Sequence, residues 1–220
     1  MQSVVIVGAG GFGREVLEIF KDQNKISEMW DILGFIDENK ELWGKLINGY
    51  PVLGGLDWLT KPSNKINSCV CAINTSDIRK EVIRKLDKIG VNYINAIHPS
   101  VVMSDSVKFG YDVVICAGSI LTTNIEIGNH VHINLNCTVG HDAVISSYCT
   151  LSPGVSINGH NKLGEVVYVG TGAVFVQNVS VGDLTTIGAG AVVIENIPEK
   201  VCAVGVPAKV VKEKVIIDHS

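Results

Sequence analysis

Aromatic residues make up only 6% of this 220-residue chain, so although 46% of its residues are hydrophobic, a core must be built from Val, Ile and Ala rather than from rings. That favours repetitive β-structure. A basic block is also missing: the 18 Lys and Arg residues are scattered and the formal net charge is −4. This excludes the footprint of a nucleic-acid or anionic-membrane binder and leaves a small molecule as the expected partner. No uncharged apolar run approaches the ~20 residues that a membrane helix needs. The apolar start of the chain lacks a basic leader, and its Gly-rich centre runs straight into Arg14 and Glu15, so it does not read as a signal peptide. A soluble, cytoplasmic protein is expected. Six cysteines are present, Cys69, Cys71, Cys116, Cys137, Cys149 and Cys202, but their spacings match no zinc pattern. Cys69-Val70-Cys71 is one residue too short for a redox CxxC, and the six read as reduced, mostly structural thiols.

Two kinds of periodicity divide what remains. In the first part, residues 3–7 form a β-branched run that leads into Gly8-Ala9-Gly10-Gly11-Phe12-Gly13, after which Val16, Leu17, Ile19 and Phe20 recur with helical spacing. Further strands fit residues 32–36, ending at Asp37, and residues 69–73, followed by Asn74-Thr75 and a helix over 77–89. This is a Rossmann-like α/β unit over residues 1–95, with the parts needed to bind one nucleotide. Gly8, Gly10 and Gly13 give a GxGxxG pattern, which lets backbone N–H groups and a helix amino end approach a phosphate. Asp37 is placed to bond a ribose or a base. The unit is too short for the second half of a dinucleotide fold, and no hydride-transfer domain follows, which argues against NAD.

From Ile97 every sixth residue is apolar: Ile97, Met103, Phe109, Ile115, Leu121 and so on through Phe175, Val181, Ile187 and Val193, seventeen in all. A composition that is 46% hydrophobic does not produce such a run by chance, so the period is a property of the fold. Four residues after each member runs a second, smaller series, Val101 and Val107 through Cys137, Ala143 and Cys149 to Ala191 and Ile197, interrupted chiefly by Ser119, Asn161 and Thr185. One bulky and one smaller inward position per six residues describes strand, turn, strand, turn, burying the same two columns each time. Gly110, Gly128, Gly140, Gly164, Gly170, Gly182 and Gly188 follow the bulky position, where a corner would favour glycine's permissive backbone. A sandwich or barrel, with strands every 8 to 12 residues, does not fit. The second domain is therefore residues 96–220, an all-β helix with a tail.

Repeats such as Ile127-Gly128-Asn129-His130-Val131-His132 resemble those of the hexapeptide acyltransferases, and that resemblance implies a left-handed parallel β-helix with three hexapeptides per coil. The order Gly8-Ala9-Gly10-Gly11-Phe12-Gly13, Phe35-Ile36-Asp37-Glu38, Ala72-Ile73-Asn74-Thr75, the repeats, Val139-Gly140-His141-Asp142 and Gly205-Val206-Pro207-Ala208-Lys209 is similar to one narrower family. That family contains the sialic acid O-acetyltransferases and the UDP-4-amino-sugar N-acetyltransferases of bacterial glycan pathways. It implies acetyl transfer from acetyl-CoA, as co-substrate, to the amino group of a nucleotide-linked sugar, with no metal, in a homotrimer.

Such a transfer needs a base for the acceptor's proton and donors for the oxyanion on the thioester carbonyl. A neutral histidine suits the first task. His98, His130, His132, His141 and His160 all lie in the repeat half and outside both inward series, so none is expected in the core, and the residues alone leave the choice among them open. The resemblance implies His141 as base and Asp142 as its carboxylate partner, provided that the chain bends between them. It further implies that Gly159, eighteen residues on, faces the thioester with its N–H, that Thr150, Thr171 and Ala189 line the coenzyme A groove, and that Lys209 meets a phosphate. Gly10, Gly11, Phe12, Asp37, Glu38 and Asn74 are implied as the nucleotide-sugar contacts. Three alternatives stand beside this reading: O-acetylation of sialic acid or a related sugar, a zinc carbonic anhydrase using converging histidines, and a non-catalytic nucleotide-binding β-helix protein.

Overall fold

The computed structural model describes residues 1–61, 64 and 68–214. The chain divides into two compact units, Met1–Pro99 with Tyr111–Cys116, and Ser100–Gly110 with Ala117–Ser220.

The first unit holds strands β1 (Gln2–Val7), β2 (Trp30–Ile36), β3 (Leu46–Ile47), β4 (Tyr50–Gly54) and β5 (Ser68–Cys71), with helices α1 (Gly11–Ile26) and α2 (Ser76–Ile89). The sheet order is β3-β4-β2-β1-β5, parallel except for the β3/β4 hairpin. The expected strand, Gly-rich turn, helix sequence is therefore present, and α1 buries Gly13, Val16, Leu17, Ile19 and Phe20 as the helical spacing requires. The hairpin was not anticipated, because Asn48-Gly49 sits between runs of only two and five residues. Helix α2 stops at Gly90, whose left-handed φ of 78° lets its N–H reach the carbonyls of Leu86 and Asp87.

Residues 111–116 fold into this unit although they belong to the repeat half of the sequence. Asp112, fully buried, accepts a hydrogen bond from the Cys71 N–H at 2.7 Å, and the Val113 N–H donates to Asn95 Oδ1 at 2.9 Å. Arg79 is also fully buried and donates to the carbonyl of Ile73 at 2.8 Å, fixing the turn between β5 and α2.

The second unit is a β-helix of two-residue strands, each paired in parallel with the strand eighteen residues on. One column runs Val102, Ile120, Thr138, Ser156, Val174, Val192; a second runs Lys108, Glu126, Val144, Lys162, Ser180; a third contains His132, Thr150, Tyr168 and Thr186. From Ile115 to Val193 every member of the bulky series is buried, whereas Met103, with no coil before it, is 38% exposed. The polar interruptions of the small series are inside as well and each bonds turn backbone, although Asn161 Nδ2 has no partner among the described residues. Ser119 Oγ donates to the Asn134 carbonyl at 2.9 Å, Asn161 Oδ1 accepts from the Val179 N–H at 2.7 Å, and Thr185 Oγ1 donates to the Pro198 carbonyl at 2.7 Å. The strand Val201–Val204 continues the stack beside Thr186–Ile187 and folds back antiparallel onto Lys209–Glu213.

The corners correct one expectation. Positive φ falls three residues after the bulky position, at Asn124, His130, Asn136, Asp142, Tyr148, His160, Val166, Asn178 and Leu184 among others, and not at the glycines that follow it directly. Those glycines are required by crowding instead: a Cβ on Gly128 would lie 2.6 Å from the Ser147 nitrogen, and one on Gly170 would lie 2.5 Å from the Ala189 nitrogen. The next coil passes too close for any side chain. Among the described residues no helix is long and apolar enough to cross a membrane.

Candidate active site

Asn124, Asp142 and His160 occupy equivalent corners of successive coils, with φ of 54°, 58° and 59°. Left-handed backbone at Asp142 supplies the bend that lets it turn toward its neighbour in sequence. His141 Nδ1 and Asp142 Oδ2 are 2.7 Å apart, and Asn124 Nδ2 donates to Asp142 Oδ1 at 3.4 Å. His160 Nε2 lies 3.8 Å from the same Oδ2, and the two imidazoles meet edge to face with centroids 4.9 Å apart. The hydrogen bond from His141, aided by Asn124 and the neighbouring His160, holds the Asp142 carboxyl below its ordinary value, against the opposing effect of desolvation. An ionised Asp142 fixes the proton of His141 on Nδ1 and leaves Nε2 as an acceptor.

Gly159 lies against that acceptor. A Cβ there would sit 2.5 Å from Nε2 and 2.6 Å from Cε1 of His141. Gly159 is buried, and among the described residues its N–H finds no acceptor. A buried donor without a partner is costly, which suits a site completed by a ligand oxygen.

The corner also brings together three potential metal ligands, since donor atoms of His141, Asp142 and His160 lie within 4.8 Å of one another. Zinc bonds of about 2.0–2.1 Å would require all three to draw in. Their present arrangement is a hydrogen-bonded acid–base group.

The other histidines are elsewhere. His98 bonds Asp22 at 3.0 Å. His130 and His132 are buried at 2% and 0% exposure, contrary to the expectation for residues outside the inward series, and His130 stacks on Tyr148 at 4.9 Å. Pointing away from the β-helix interior does not guarantee contact with water. Thr171 and Ala189 stack one coil apart at an exposed corner, where the Gly190 N–H donates to the Thr171 carbonyl at 2.8 Å. Lys209 is exposed, 3.7 Å from Glu195. Thr150 is the exception among the expected coenzyme A contacts: its place in a strand between His132 and Tyr168 leaves it fully buried, so it offers a ligand no surface in this chain.

In the first unit a cleft of about 510 Å³ is lined by Gly10, Gly11, Phe12, Asp37, Glu38 and Asn74, so all six expected nucleotide contacts converge. Gly13 is not among them; a Cβ there would lie 2.0 Å from the Gly8 carbonyl oxygen, so its role is to let α1 close on β1. Gly10, by contrast, faces open space. Asp37 is partly committed to structure: Oδ2 accepts from the Ala9 N–H and Oδ1 from the Asn39 N–H, each at 2.9 Å. Glu38 Oε1 accepts from the Leu56 N–H at 2.8 Å. The opposite wall, Ile78, Glu81, Val82 and Lys85 of α2, was not anticipated, although their spacing is that of a second helix face.

A β-helix of six-residue period with a histidine–carboxylate pair at a corner, joined to a single-nucleotide α/β fold, is the build of a hexapeptide-repeat acyltransferase. Residues 3–86 match the PglD N-terminal domain family. GDP-perosamine N-acetyltransferase of Escherichia coli O157:H7 is 38% identical over 213 residues, covering 94% of this chain and 95% of that protein. PerB from Caulobacter crescentus, solved in complex with CoA and GDP-perosamine, superposes with a TM-score of 0.87 at 31% identity over 96% of this chain and 97% of that one. The acetyltransferase domain of PglB from Neisseria gonorrhoeae FA1090, in complex with acetyl coenzyme A, gives 0.86 at 28% identity over 96% and 99%. The chain belongs to the family of nucleotide-sugar N-acetyltransferases that includes GDP-perosamine N-acetyltransferase.

Proposed function

We propose that the chain transfers the acetyl group of acetyl-CoA to the amino group of a nucleotide-linked sugar, with His141 as general base. The observation that carries the role of His141 is its geometry: Nδ1 is tied to Asp142 at 2.7 Å, while Nε2 lies against Gly159 of the next coil, which has no side chain. The amine nitrogen attacks the thioester carbonyl carbon, its proton passes to Nε2, and the tetrahedral oxyanion accepts a hydrogen bond from the Gly159 N–H. Collapse breaks the C–S bond, and the proton on Nε2 is delivered to the departing sulfur. No covalent acyl-enzyme is needed. Thr171, Ala189 and Lys209 are the coenzyme A contacts in this reading, and Gly10, Gly11, Phe12, Asp37, Glu38 and Asn74 hold the nucleotide-sugar.

The relatives make GDP-perosamine the first substrate to test. Acetyl-CoA consumption, followed with a thiol reagent across GDP-, UDP- and dTDP-linked amino sugars, is expected to show turnover on an amino sugar. Turnover on sialic acid alone would overturn N-acetylation. We also infer a homotrimer in the cytoplasm, and a functional boundary at residues 95 and 96, where the six-residue period takes over. A monomer by light scattering would overturn the trimer.

A further inference from the structure

The cleft of the first unit has two chemically different ends. One is formed by Gly10, Gly11 and the amino end of α1, where N–H groups suit a phosphate. The other runs along α2, where Ile78, Glu81, Val82 and Lys85 occupy one face over two turns while Arg79, Ile83 and Leu86 on the other face are buried. A nucleotide whose phosphates lie at the first end has its base at the second.

We propose that this α2 face reads the base and selects guanine, an inference that rests on the nucleotide-sugar reading above. Ile78, 52% exposed, and Val82 give the apolar surface that a base plane covers. Glu81 and Lys85 stand four residues apart, so a carboxylate and an ammonium group are presented side by side. Among the described residues neither makes a hydrogen bond or ion pair, not even with the other, whereas Asp37 and Glu38 across the cleft already accept from backbone N–H groups. Both charges are available to a ligand.

Guanine fits this pair better than its rivals. Its adjacent N1–H and N2–H groups can both donate to the Glu81 carboxylate in a bidentate, charge-assisted pair, while O6 accepts from Lys85 Nζ. Uracil and thymine offer a single N–H between two carbonyl oxygens, one of which would face the carboxylate. Adenine carries a ring acceptor where guanine has N1–H.

The test is calorimetric titration of the full-length protein with GDP, UDP, dTDP and ADP, repeated on Glu81→Gln and Lys85→Met, with acetyl-transfer kinetics alongside. The wild type should bind GDP about tenfold or more tightly than UDP. Glu81→Gln should remove that preference by weakening GDP alone, and should raise KM for a GDP-linked amino sugar with little change in kcat. Equal binding of all four nucleotides would overturn guanine selection and leave the nucleotide-sugar reading standing. A GDP preference that survives both variants would overturn the assignment to α2. Failure to bind any nucleotide or to turn over any amino sugar would overturn both readings.

Discussion

His141 draws its proposed reactivity from two neighbours of opposite character, an anion on Nδ1 and a residue without a side chain beside Nε2. His141→Ala should lower kcat by about 10²- to 10⁴-fold with the fold retained, as single-turnover rates and circular dichroism would show. Gly159→Ala tests the space: its methyl would overlap the imidazole, so kcat should fall although no titratable group has been removed. Asp142 has its carboxyl pushed down chiefly by the His141 hydrogen bond. The sign follows: its stabilising contribution is complete above the ordinary carboxylate value and is lost only as pH falls through the lower folded value. Asp142→Asn should therefore lower kcat at neutral pH by an amount approaching that of His141→Ala, because the amide no longer fixes the imidazole tautomer. At this scale the sequence was partly readable. Resemblance singled out His141 and Asp142, but His160 and Asn124 follow from register arithmetic alone, each standing eighteen residues from Asp142 on the same column. The burial of His130 and His132 was not readable, because the six-residue period describes only what faces inward.

At the scale of the element, the corner is the unit that repeats and the place where strain collects. Most left-handed corner positions hold Asn, Asp, His or Gly, which tolerate that conformation, but Val166 and Leu184 adopt φ of 60° and 61°. Leu184→Asn relieves this without touching a buried side chain of the inward columns, and should raise Tm by about 2–4 °C in differential scanning calorimetry. The glycines after each bulky position are a case where the right residues were noticed for the wrong reason. Sequence shows that glycine recurs, but whether it answers to torsion or to crowding depends on how closely the next coil passes. Helix α2 taught a similar lesson. The helix itself was legible over residues 77–89, while the face with Ile78, Glu81, Val82 and Lys85 looks solvated until the cleft is seen beside it.

Across the whole molecule, the two periodicities account for the architecture: strand, Gly-rich turn and helix in the first unit, and the eighteen-residue coil in the second. What no periodicity conveys is that residues 111–116 pack into the first unit, since the tie is made by single polar side chains, Asp112 and Asn95, on backbone N–H groups. Asp112→Ala would leave the buried Cys71 N–H without its acceptor and should destabilise the protein by about 1–3 kcal/mol in urea unfolding. The cysteines give a further measurement. None is in a disulfide, five are buried, burial raises the Cys69 and Cys71 thiols far above their usual range, and Cys137 is pushed up to about 11. Native protein treated with iodoacetamide at pH 8 should be modified at Cys202 alone, as peptide mass mapping would reveal.

The stacking of identical coils also fixes how this chain can change in length. Adding or removing eighteen residues beyond the catalytic corner adds or removes one layer of about 4.8 Å and returns every later side chain to its former face. An insertion of a single residue within a strand instead turns all that follow inside out. Gaps between this protein and its relatives should therefore come in whole coils or as loops extruded at corners, while residues 124–160, which contribute one corner from each of three coils, should admit none.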